Sequence, residues 1–114
     1  MNFHSLQISK IERFTPESIA VYLNIEQPLK PNFKFSAGQY ITIEHQTPTG
    51  AIRRSYSIAS TPSDKELCIG LKQVKNGVFS TFANTELKEG DQLRVATPEG
   101  NFTYDPTAKQ ILAV

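Results

Sequence analysis

The strongest constraint in this chain is a period of two. Ile19, Val21, Leu23 and Ile25 alternate with Ala20, Tyr22 and Asn24, and Leu6 and Ile8, with Ile11 just beyond, repeat the pattern upstream. Side chains alternate faces along an extended strand, so this spacing gives each segment one apolar face and predicts β-strands with one side buried. Phe14-Thr15-Pro16-Glu17-Ser18 separates the two segments with turn-forming residues and predicts a hairpin. Further strands are expected over 40–44, 54–59, 66–74 and 92–96, punctuated by the Thr47 to Gly50 break, Ser60-Thr61-Pro62, Glu89-Gly90-Asp91 and Thr97-Pro98-Glu99-Gly100. Residues 27–38, with Pro28 and Pro31 and no periodicity, read as a long connection. One short helix is expected over 81–87, with Ser80 as its N-cap and Phe82 facing inward. Several short strands with turn signals between them predict an all-β fold, an antiparallel barrel or sandwich, and the one late helix favours a Greek-key barrel.

At 114 residues the chain is too short for a two-domain enzyme, yet long enough for one core without disulfides or a structural metal. Its single cysteine, Cys68, excludes an intramolecular disulfide framework and, with no Cys/His set at zinc-like spacing, a zinc ribbon. A reducing, cytoplasmic setting is the expectation. Met1-Asn2-Phe3-His4-Ser5-Leu6 has neither a positive n-region nor an apolar run, and no stretch reaches membrane-spanning length, so neither a signal peptide nor a membrane span is expected. A formal net charge of +1 without a basic block gives no electrostatic reason to expect nucleic acid or a membrane as partner.

Two local patterns could carry chemistry. In Arg54-Ser55-Tyr56-Ser57, alternation puts Arg54 and Tyr56 on one face: a planar cation suited to phosphate beside a ring that can stack on a flat heterocycle. Alone, this is more often an ordinary strand with a cross-strand tyrosine and a solvated arginine. In Lys75-Asn76-Gly77-Val78-Phe79-Ser80, Gly77 allows close backbone approach and the free N–H groups of a helix start attract an anion. Alone, this is more often a turn glycine followed by a serine cap. Their co-occurrence across one intervening strand is what favours a phosphate-bearing ligand.

Together with Phe35-Ser36-Ala37-Gly38-Gln39-Tyr40 and Pro98-Glu99-Gly100-Asn101-Phe102, these motifs in this order resemble the flavin-binding domain of the ferredoxin reductase family over essentially the whole chain. The resemblance implies a six-stranded antiparallel Greek-key barrel with one capping helix, in agreement with the strand count. It implies that Arg54 grips the flavin phosphates, that Tyr56 stacks on the isoalloxazine and that Ser57 lies near N5 as the catalytic residue, its hydroxyl able to donate and accept. Gly77, Val78, Phe79 and Ser80 would form the pyrophosphate-binding turn, with Lys72, Gln73 and Val74 passing the flavin through their backbone. Because a pyrophosphate can occupy both Arg54 and the helix start, FAD is favoured over FMN as cofactor, with NAD(P)H as electron donor in the complete enzyme.

Residues 1–106 would then be the FAD-binding barrel, and 107–114 a linker and the first strand, ending Ile111-Leu112-Ala113-Val114, of a missing C-terminal NAD(P)-binding domain. The implied function is that of an NAD(P)H-dependent flavoprotein reductase passing electrons through FAD to a one-electron carrier: ferredoxin, flavodoxin or an oxygenase iron–sulfur centre. Free-flavin and ferric reductases of similar fold are alternatives, as is a non-enzymatic barrel binding oligonucleotides or other ligands. The last predicts an aromatic, basic stripe, and Tyr22, Tyr40, Tyr56 and Tyr104 form none with Lys or Arg. His4 and His45 lack ligating neighbours, so no metal is expected. Ser57, His45 and Asp64 lack a nucleophile-elbow context, Cys68 reads as a small packing residue, and Phe14, Phe33, Phe35 and Phe82 read as packing.

Overall fold

The computed structural model describes residues 2–60 and 66–100. Its elements are β1 (Phe3–Thr15), β2 (Ser18–Asn24), a 3-10 helix (Gln27–Phe33), β3 (Tyr40–Thr47), β4 (Gly50–Ser57), β5 (Leu67–Lys72), α1 (Val78–Thr85) and β6 (Gln92–Ala96). All strand pairs are antiparallel, in the order β4-β3-β6-β1-β2-β5. Two hairpins, β1–β2 and β3–β4, are joined when β6 returns between β3 and β1 after the excursion through α1. This is the long-return connection that the barrel topology requires. The two edge strands meet through an isolated Ile58–Ile69 bridge, with the Ala59 N–H donating to Cys68 O at 2.7 Å. Among the described residues the two edges are joined by this bridge and by no ladder, so the sheet is barrel-like without being closed.

The alternating residues supply the core: Leu6 and Ile8, Ile19, Val21 and Leu23, Ile41 and Ile43, Leu67, Ile69 and Leu71, Leu93 and Val95, closed off by Phe33, Phe79 and Ala83. None of β4 is fully buried. That strand forms one wall of the barrel without filling its interior.

Several boundaries differ from the sequence expectation for local reasons. β1 runs through Phe14, because a bulge between Arg13 and Thr15 takes Phe14 out of the ladder; its ring is 66% exposed, not packed as expected. The connection over 27–38 contains the 3-10 helix: Pro28 pre-sets its first turn, the Leu29 N–H donates to Glu26 O at 2.9 Å, and Phe33 is carried into the core. β4 starts four residues before Arg54 because Gly50, at φ 133°, makes the hairpin turn that pairs 50–57 with 40–47. The helix begins at Val78, three residues early, and its N-cap is Gly77 rather than Ser80. Asp64, Tyr104 and the expected strand over 109–114 lie outside the described residues.

Candidate functional site

β4, the end of β5 and the start of α1 enclose a cleft of about 240 Å³ lined by Arg54, Ser55, Tyr56, Lys72, Val74, Gly77, Phe79 and Ser80. Seven of these residues are among the ten singled out from sequence. Ser57, Gln73 and Val78 are the three that do not line it: Ser57 is exposed at the end of β4, paired with Tyr40, the Gln73 N–H donates to Glu17 O, and Val78 is 53% exposed. Ser55 is an addition, its hydroxyl 3.1 Å from that of the buried Thr42. Strand alternation places Ser55 opposite Arg54 and Tyr56, so periodicity could not have selected it.

The cleft is positive. Among the described residues no carboxylate lines it and no acid forms an ion pair with Arg54 or Lys72. The Arg54 Nη1 donates to Arg53 O at 2.7 Å, an exposed contact that a competing oxyanion can replace. Tyr56 is half-buried with its ring 6.0 Å from that of Phe79, and burial raises its phenol pKa against the opposing pull of Arg54. Its hydroxyl is neutral at physiological pH. Phe79 enters the cleft wall from the core, where it is only 1% exposed.

The turn into α1 is built around two small side chains. Asn76 takes the left-handed conformation (φ 64°), whereas Gly77 has an ordinary φ of −80°. Gly77 is required for space: a Cβ there would lie 2.5 Å from Ser80 Oγ and 3.0 Å from Val74 O. The Ser80 hydroxyl accepts from the Val74 N–H at 3.0 Å and approaches Gly77 O at 3.5 Å, while the Gly77 N–H donates to Val74 O at 2.8 Å. Ser80 thus ties the turn shut instead of capping the helix. No side chain caps α1, its first turn contains no acid, and the Thr81 N–H is the first to reach back, to Gly77 O at 3.1 Å. The amides of residues 78–80 are left at the positive end of the helix without intrahelical acceptors.

The rest of the surface carries other chemistry. Glu44 accepts from Arg94 Nε at 3.0 Å and from Arg53 Nε and Nη2 at 3.2 Å, and the Arg94 hydrogen bond leads in holding its carboxyl below the usual range. His45 packs against Phe82 (4.5 Å between centroids) and Phe79 (5.3 Å). Cys68 is buried in β5. Among the described residues no cluster of His, Cys, Asp and Glu could hold a metal, and no helix is long and apolar enough to cross a membrane.

Comparison with known proteins places this geometry. One component of the 1,2-phenylacetyl-CoA epoxidase of Escherichia coli (strain K12) is 32% identical over 108 residues, covering 95% of this chain and 30% of its own length. The flavohemoprotein of Bacillus subtilis (strain 168) is 34% identical over 109 residues, covering 94% of this chain and 27% of its own. Among solved structures, phthalate dioxygenase reductase, described as a modular structure for electron transfer from pyridine nucleotides to a 2Fe-2S centre, superposes with a TM-score of 0.75 at 28% identity, over 94% of this chain and 33% of that one. The chain spans less than a third of the length of the epoxidase component and of the flavohemoprotein. The model of the oxidoreductase FAD-binding domain matches residues 5–104, so the chain belongs to the oxidoreductase FAD-binding domain family.

Proposed function

We propose that this chain holds FAD as the flavin domain of an NAD(P)H-dependent reductase that passes electrons to a one-electron carrier. The carrying observation is the meeting, in one cleft with no acid among its described lining residues, of Arg54 and Tyr56 from β4 with the uncapped start of α1. FAD suits this donor set because its two phosphates need separate anchors, a guanidinium fork at one end and backbone amides at the other. When bound, FAD supplies hydride acceptance at N5 and release of electrons one at a time.

In this reading Arg54 binds phosphate and Tyr56 offers its neutral ring as the stacking face. Lys72 adds positive charge, and Gly77 lets the backbone approach the pyrophosphate with the amides of Val78, Phe79 and Ser80. Val74, 60% exposed, offers apolar surface at the rim. Ser57, one residue past Tyr56 at the end of β4, is the candidate for a hydroxyl near N5. Residues 1–106 would be the flavin domain and 107–114 the entry to an NAD(P)-binding domain. The acceptor would be an iron–sulfur, haem or ferredoxin-type carrier. Support comes from the phthalate dioxygenase reductase, whose description names a 2Fe-2S acceptor, and from a ferredoxin–NADP reductase of Sorangium cellulosum.

Titration of the purified chain into FAD, followed by flavin fluorescence, tests the cofactor. Saturable binding weakened about tenfold or more by Arg54→Ala and by Tyr56→Ala is expected, the size of losing one charge-assisted or stacking contact. FAD binding unchanged by both substitutions would overturn the assignment.

A further inference from the structure

We propose that Arg13, on the β1–β2 hairpin, is a positioning residue that holds α1 so that its first turn faces the cleft. The inference rests on the phosphate-binding reading of that turn.

The helix is unusual at both ends. Its N-terminus has no side-chain cap and no acid, and its last turn contains no basic residue, so nothing within the helix complements either end of its dipole. The missing cation comes from another element. Arg13 Nη2 donates to Asn84 O in the last turn of α1, while Nη1 donates to Thr15 O at 3.2 Å and Pro16 O at 3.0 Å in the hairpin turn. One guanidinium fork therefore joins the hairpin to a carbonyl that the helix cannot satisfy itself. Asn84 is 5% exposed, and its Nδ2 donates to Ser80 O at 2.9 Å, linking this end to the turn that starts the helix. The same hairpin also grips the other end of the segment: Glu17 O accepts the Gln73 N–H at 2.7 Å, just before the Val74–Gly77 turn.

The hairpin thus clasps the segment from 73 to 84 at both ends, and the residues of that segment that line the cleft, Val74, Gly77, Phe79 and Ser80, lie between the two grips. Phosphate binding through backbone amides depends on where the helix axis points, because no side chain can swing to correct a misaligned N–H. Removing Arg13 loosens the end of that lever farthest from the ligand.

The test measures FAD and riboflavin binding side by side on the full chain and on Arg13→Ala, Arg13→Lys and Phe14→Ala. Riboflavin has the same ring system and no phosphate. Arg13→Ala should weaken FAD by about three- to tenfold, the range of a helix-end charge, while riboflavin changes less than about twofold. Arg13→Lys, a point charge unable to bridge as a fork, should weaken FAD in the same direction. Phe14→Ala, at the exposed bulge beside Arg13, should change neither. Equal losses for both flavins would overturn the proposal, since a general loss of structure does not discriminate phosphate; so would unchanged FAD affinity. If Arg13→Ala does not fold, Arg13→Lys is judged by the same FAD-against-riboflavin criterion. Failure of the unmodified chain to prefer FAD over riboflavin would instead overturn the phosphate reading itself, which separates the two failures.

Discussion

At the scale of single residues, Ser80 shows how a motif can be found in sequence with part of its physics misassigned. The sequence suggests the serine as a helix cap, but the N-cap is Gly77. The structure pairs the two residues, the hydroxyl filling the space that a Gly77 Cβ would need. Gly77→Ala should therefore weaken FAD binding, and should do so less in a Ser80→Ala background, where the nearest clash is gone; a double-mutant cycle on FAD affinity reads this non-additivity. Ser80→Ala alone leaves the part-buried Val74 N–H without its acceptor and should cost about 1 kcal/mol in denaturant unfolding. Tyr22 offers a test far from the cleft. Its phenol pKa is raised to about 12, first by its hydrogen bond to Glu12. With the folded pKa above the unfolded value of about 10, this contribution is complete below about pH 10 and is lost as pH rises towards about 12; Tyr22→Phe should flatten the fall in stability over that window.

Among the elements, what was legible followed from strong local rules. Period two located every strand, and the core residues of β1, β2, β3, β5 and β6 are the alternating Leu, Ile and Val side chains of the sequence. Arg54, Tyr56 and the Gly77–Ser80 turn were visible because each has its own chemical signature. What stayed hidden depends on contacts between elements. The 3-10 helix lies in a segment without periodicity, and Ser55 lines the cleft from the wrong alternation phase. Arg13 is an isolated cation in sequence and acquires meaning only because the hairpin reaches the end of α1. β5 carries the heaviest packing load beside the site, since Ile69 is fully buried and also makes the seam bridge to Ile58. Ile69→Ala should cost about 2–5 kcal/mol in chemical denaturation, near the top of that range if the seam opens with it.

Taken as a whole, the molecule is unevenly consolidated. Five strands pack a continuous core, while β4 lies along its side with no fully buried residue, and among the described residues the edges of the sheet are joined by one bridge. Native-state hydrogen exchange should follow this division, with amides of β1, β2 and β6 the slowest and those of β4 and the 74–80 turn among the fastest. FAD should then slow exchange selectively in β4 and that turn. Uniform slowing across all six strands would contradict the uneven distribution. The weakly consolidated wall also makes ligand and fold parts of one equilibrium. A chain whose outer stave is finished by its cofactor becomes harder to unfold as cofactor accumulates, by about 2.7 kcal/mol at a hundredfold excess over Kd, so its melting temperature reports the flavin supply around it.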